Sequence, residues 1–128
     1  MNPAEITREL GLKPHTTFVA GDRRKTPKGQ LLDGTYRESY WSADPFCRGE
    51  YLSTDELAED ALADVLQSLA AHKSFLQRLR SEGARLHLQV SSFSGRNYAF
   101  ELPPEFLAKC ADLGLSFVHD VYPYPQNW

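Results

Sequence analysis

The sequence has 128 residues, 41% hydrophobic and 24% charged, with a formal net charge of −3 at pH 7. That length suits one domain over residues 1–128, long enough to bury a sizeable core, and the composition is that of a soluble globular protein. No run reaches the roughly eighteen apolar residues of a membrane span, and the negative balance argues against a protein that coats nucleic acid.

The N-terminus, MNPAEITREL, has two acidic residues and no apolar h-region. A signal peptide is therefore not expected, and the cytoplasm is the expected compartment. The same residues read as a helix. Asn2 can cap it, Pro3 suits its first position, Glu5 sits at the capping-box spacing, and Gly11 follows Leu10 as a stop. "TTFVA", Thr16 to Ala20, is β-branched and aromatic and is expected to be a strand.

Gly21 to Trp41, "GDRRKTPKGQLLDGTYRESYW", is a basic island. Its five basic residues (Arg23, Arg24, Lys25, Lys28, Arg37) and three acidic ones give a local +2, which leaves −5 on the remainder. A phosphate-binding P-loop would need GxxxxGK[ST] between a strand and a helix. Here Gln30 follows Gly29 and a strand, "TYRESYWS", is expected next, so that reading fails. Residues 21–34 are expected to be an exposed strand-to-strand loop, with Thr26-Pro27 and Asp33-Gly34 as turns. In the strand that follows, Tyr36, Glu38 and Tyr40 fall on one face, and Arg37, Ser39 and Trp41 on the other. Arg23, Arg24, Lys25, Lys28, Arg37, Tyr40 and Trp41 are the candidate ligand- or partner-binding residues.

Residues 44–52 read as an irregular connection. Ser53, with Glu56 as its reciprocal partner, is expected to cap a long helix whose inward stripe is Leu57, Ala61, Leu62, Val65, Leu66 and Leu69. A break near residues 72–74, inward Phe75, Leu76 and Leu79, and a stop at Gly83 follow. "RLHLQVSSF" alternates cleanly and, with the turn "SGRN" and the strand "YAFEL", is expected to be a hairpin. Pro103-Pro104 opens a short helix with Phe106, Leu107, Cys110 and Leu113 inward, ended by Gly114. The last strand, "LSFVHDVY", puts Leu115, Phe117, His119 and Val121 on one face, and His119 is expected to be a hydrogen-bonded core histidine. The element order α-β-β-α-α-β-β-α-β predicts an α+β fold: a mostly antiparallel or mixed sheet with helices packed on one face.

Chemistry has little support in these patterns. The four histidines, His15, His72, His87 and His119, show no HxxxH, HExxH or HxH spacing, so no zinc site is expected. Cys47 and Cys110 belong to no CxxC and are expected to be free thiols. No GxSxG occurs, and no metal, cofactor or catalytic residue is expected; an enzyme, a small hydrolase or transferase depending on His87 or His119, is the least favoured reading.

Several blocks in their order carry a resemblance: "NPAEITRELGLKP", "GDRRKTPKG", "GTYRESYW", the helix from Ser53, "LRSEGARLHLQV" and "KCADLGLSFVHDVY". They resemble the bacterial family known as domain of unknown function 4279, over nearly the whole chain. Its most specific parts are (D/N)P-x-x-I-(T/S)-x-x-L-G-L-x-P and S-x-W. The resemblance implies a small bacterial α+β domain and supplies no activity, cofactor or catalytic residue. Members typically carry a strand before the first helix, whereas this sequence begins at the helix cap. A missing strand would leave a sheet edge able to pair with a second copy as a homodimer. The expected function is a non-enzymatic module that recognises another protein, an immunity-type role being one version. The alternative is a domain that binds an anionic small ligand or nucleotide through the basic 21–41 segment.

Overall fold

In the computed structural model, which describes residues 1–46, 57–93 and 99–122, the first helix starts as its residues dictate. The Asn2 side chain accepts from the Ala4 N–H at 3.0 Å, Pro3 opens α1 (Pro3–Leu10), and Gly11 ends it at φ +67°. The architecture is mixed α+β. The chain divides into two compact units, Met1–Tyr51 and Leu52–Trp128.

In the first unit, β1 (Thr16–Phe18) pairs antiparallel with β4 (Tyr40–Ser42), Thr17 opposite Trp41. Between them, β2 (Arg23–Lys25) and β3 (Leu31–Thr35) form an antiparallel ribbon, so the expected loop is itself a hairpin. The strand expected over 35–42 is split, because residues 36–39 leave the ladder. There Ser39 Oγ accepts from the Ala20 N–H at 2.9 Å, a side-chain bond replacing a strand-to-strand one.

In the second unit, α2 (Ala58–Ala70) and α3 (Lys73–Ser81) are separated by the expected break, and α4 (Pro104–Leu113) ends at Gly114. β5 (Leu86–Phe93) pairs with β6 (Leu115–Tyr122), Leu86 opposite Leu115, and the pair is parallel. This corrects the expected hairpin. Residues 99–103 form no strand, and β5 finds its partner across α4 instead. The proposed turn at 94–97 and Tyr98 lie outside the described residues, as do Cys47, the Ser53/Glu56 cap and the proline-rich tail.

The core of this unit joins Leu62 and Leu66 of α2, Leu76 of α3, and Phe106, Cys110 and Leu113 of α4. Leu86, Leu88 and Val90 of β5 and Leu115 and Phe117 of β6 pack against it, so the three helices cover one face of the strand pair. Two stripe positions are corrected. Leu57 stands at the N-cap of α2 and is 55% exposed, and Leu107 is 49% exposed on the outer side of α4. His119 is a third correction. It alternates onto the same face as Phe117, yet it is exposed.

Cys110 is the free, buried thiol of that core, and desolvation raises its pKa above the ordinary 9.0. A folded-state pKa above the unfolded one gives stability that is complete below the unfolded value and is lost as pH rises through the folded value. The unfolding midpoint in urea should therefore fall between neutral pH and about pH 10 more steeply for the natural chain than for C110A. Equal slopes would show that the thiol does not contribute.

Candidate functional site

The ribbon's shape follows from a mismatch in length between its two strands. Arg23 faces Thr35, but Lys25 faces Leu31, so β3 spends four steps where β2 spends two. Such a bulge leaves carbonyls outside the ladder. Two arginines answer them: Arg23 Nε donates to the Leu32 carbonyl at 3.1 Å, and Arg24 Nη1 reaches the Asp33 carbonyl at 3.5 Å. Gly34, expected in a turn, lies within β3 at φ +85°, a conformation open to glycine at little cost.

The tip and base are both tied. At the tip the Thr26 N–H donates to the Gln30 carbonyl at 2.8 Å, and Thr26 Oγ1 accepts from the Gln30 N–H at 3.0 Å. At the base the Gly21 N–H donates to the Tyr36 carbonyl and the Tyr36 N–H to the Asp22 carbonyl, each at 2.9 Å. The Tyr36 hydroxyl lies between the Lys25 N–H and carbonyl, at 3.2 and 3.3 Å. Every residue of β2 and β3 is nonetheless exposed. Hydrogen bonds shape this ribbon, and apolar burial contributes almost nothing to it.

The seven candidate residues separate into three groups. Arg24 and Arg37 come together, lining a shallow groove with Gly34, Thr35 and Tyr36. Arg23, Lys25 and Lys28 are exposed along the ribbon and do not line it. Tyr40 and Trp41 both make packing contacts, although Tyr40 stays 46% exposed. Tyr40 stacks on Phe18 with ring centroids 5.2 Å apart, and Phe18 stacks on Tyr36 at 4.0 Å. Trp41 is half-buried, and its Nε1–H donates to Thr7 Oγ1 of α1 at 3.0 Å.

The electrostatics of the ribbon are one-sided. Among the described residues, none of the five cations forms an ion pair, although the second unit holds Lys73 to Asp112 at 2.8 Å and Arg78 to Glu82 at 4.0 Å. Asp22, Asp33 and Glu38 are nearby in sequence, yet none forms an ion pair with the ribbon's cations. Sequence reasoning missed Gly34, Thr35 and Tyr36 as groove residues. The available signal was Gly34, a glycine inside an extended run, which often marks a bulge.

A second polar cluster sits at the carboxyl end of the parallel pair. Ser92 Oγ and His119 Nε2 are 2.8 Å apart, and the imidazole lies against the Phe100 ring at 4.9 Å. Asp120 points to the opposite face, where its carboxylate accepts from the Gln89 side chain, so it does not orient the His119 ring. Among the described residues, no three His, Cys, Asp or Glu side chains gather as a metal-binding group, and no helix is long and apolar enough to cross a membrane.

A mixed α+β protein carrying an exposed cationic ribbon is thus the class that fold and site define. The chain belongs to the family described as Domain of unknown function (DUF4279), whose profile matches residues 1–124. No curated protein and no solved structure matches it. The two most specific blocks of the family resemblance have visible structural jobs. Asn2, Pro3 and Ile6 start and bury α1, while Ser39 and Trp41 tie β4 and its approach to Ala20 and Thr7.

Proposed function

We propose that the chain is a cytoplasmic bacterial domain that recognises another protein without catalysing a reaction, and that the β2–β3 ribbon meets an acidic face of that partner. The carrying observation is the set of five cations on and beside the ribbon that, among the described residues, form no ion pair with a carboxylate, within a net acidic chain. Unneutralised charge of one sign at an exposed surface steers association with a complementary surface. The exposed backbone of both strands adds hydrogen-bonding edges of the kind that strand-addition complexes use. The basic ribbon favours a partner with an acidic face over a toxin with a basic active site. The core thiol of Cys110, unpaired and buried, fits a reducing compartment.

The test is affinity capture from a native lysate with the full chain and with K25E/K28E. These side chains are exposed, and neither makes a hydrogen bond or ion pair that the fold depends on. One stoichiometric protein should be retained by the natural chain, lost with added salt, and lost with the double reversal. Retention that ignores both salt and charge reversal would remove the ribbon from the reading. Recovery of no protein partner would remove the reading itself. A small-ligand role is the second reading, favoured by the meeting of Arg24 and Arg37 in one groove.

A further inference from the structure

We propose that the groove between Arg24 and Arg37 seats a doubly charged phosphate group, as free phosphate or as the head of a small phosphate monoester. Arg37 makes no hydrogen bond or ion pair among the described residues, so its guanidinium donors are free to serve a ligand. Arg24 is held by a single long contact to the Asp33 carbonyl. Its aliphatic stem crosses Gly34, where a Cβ would lie 3.9 Å from Arg24 Cδ; the missing side chain keeps the floor of the groove low. Thr35 belongs to the same lining, and Tyr36, its own hydroxyl engaged with Lys25, stands there as a held side chain.

Charge decides the ligand class. Two guanidinium groups that form no ion pair among the described residues are matched by a dianion better than by a single carboxylate. Planar N–H forks bind tetrahedral oxyanions in bidentate fashion, which an ammonium does not. Lys25 and Lys28 do not line the groove, so they contribute only a general field.

The site shares residues with the protein-recognition surface proposed above but does not depend on it. The experiment is a titration of the ¹⁵N-labelled full chain with inorganic phosphate at mildly alkaline pH, against chloride at equal ionic strength. Saturating shifts should be confined to the amides of Arg24 and of residues 34–37. R37Q should weaken binding at least tenfold, while K25Q/K28Q should change it by less than about threefold. Loss of equal size in both variants would mean a diffuse ion atmosphere and overturn the proposal, as would shifts that never saturate. Co-sedimentation with phosphatidic acid vesicles without any response to free phosphate would also overturn it, in favour of a membrane surface. Partner capture that survives in R37Q while the phosphate shifts vanish would leave both proposals standing. Absent phosphate shifts with ribbon-dependent capture intact would sink this one alone.

Discussion

L66A is expected to destabilise the second unit by about 2–5 kcal/mol, the range for a leucine truncated in a packed core. Leu66 is only 2% exposed, the most deeply buried large side chain of the described residues. It stands where α2 meets the core shared by Leu62, Leu76, Phe106, Cys110 and Leu113. The truncation removes favourable transfer energy and leaves a cavity, because the neighbours belong to three different helices and relax only in part. Against a typical domain stability of about 5–15 kcal/mol, that loss is large. The measurement is urea denaturation followed by helical circular dichroism. L107A, at an apolar residue of α4 that is half exposed, supplies the contrast and should cost less than about 1 kcal/mol. Equal losses at the two sites would contradict the assignment of the core to this face of the helices.

The second large effect belongs to Trp41. W41A should cost about 2–3 kcal/mol, below the 3–5 kcal/mol of a fully buried tryptophan because the ring is half-buried. Part of that cost resides in one hydrogen bond, which can be isolated at its other end. T7V removes the acceptor of the indole N–H and should cost about 1–2 kcal/mol, whereas T7S keeps the hydroxyl and should stay within about 0.5 kcal/mol of the natural chain. Indole fluorescence and amide exchange in α1 report the change. If T7V and T7S behaved alike, the bond between α1 and β4 would carry no weight.

The contrast between what could and could not be read from the residues follows one physical line. Local chemistry was legible. The Asn2 cap, the Pro3 start, the Gly11 and Gly114 stops and the break before Lys73 all depend on neighbours within one turn of helix. Side-chain faces were legible too, since alternation along Leu86–Phe93 separates half-buried from exposed positions over the whole strand. Partners were not. Alternation says which way Leu88 points and nothing about whether a strand at 98–102 or one at 115–122 lies beside it, and the second proved correct. Cover was not legible either, so His119 occupies the expected face without being enclosed by it.

The candidate site divided along the same line. Exposure of the basic residues followed from their density between glycines. The meeting of Arg24 with Arg37 required the ribbon's register, and that register contains a bulge whose one sequence signal is Gly34. Trp41 and Tyr40 are binding candidates by their place beside Arg37, and their contacts within the fold could not be read from that place. The structure commits the Trp41 indole N–H to Thr7 and stacks Tyr40 on Phe18. The enzyme-like pair, Ser92 and His119, was missed because the two residues belong to different strands and meet only through the parallel pairing.

That parallel pairing also sets an order of events during synthesis. The ribbon can close as soon as Thr35 has emerged, since its partner Arg23 is already present and a hairpin forms in about 1–10 μs. Strand β5 has no such neighbour. From the moment Phe93 leaves the ribosome until Tyr122 follows it, an eight-residue strand with Leu86, Leu88 and Val90 on one face waits for a partner on the far side of an entire helix. At about 5–20 residues per second that interval lasts seconds, long compared with collapse. The nascent chain therefore spends its most aggregation-prone period with β5 unpaired, and only helices α2 and α3, already made, are at hand to shelter its apolar face.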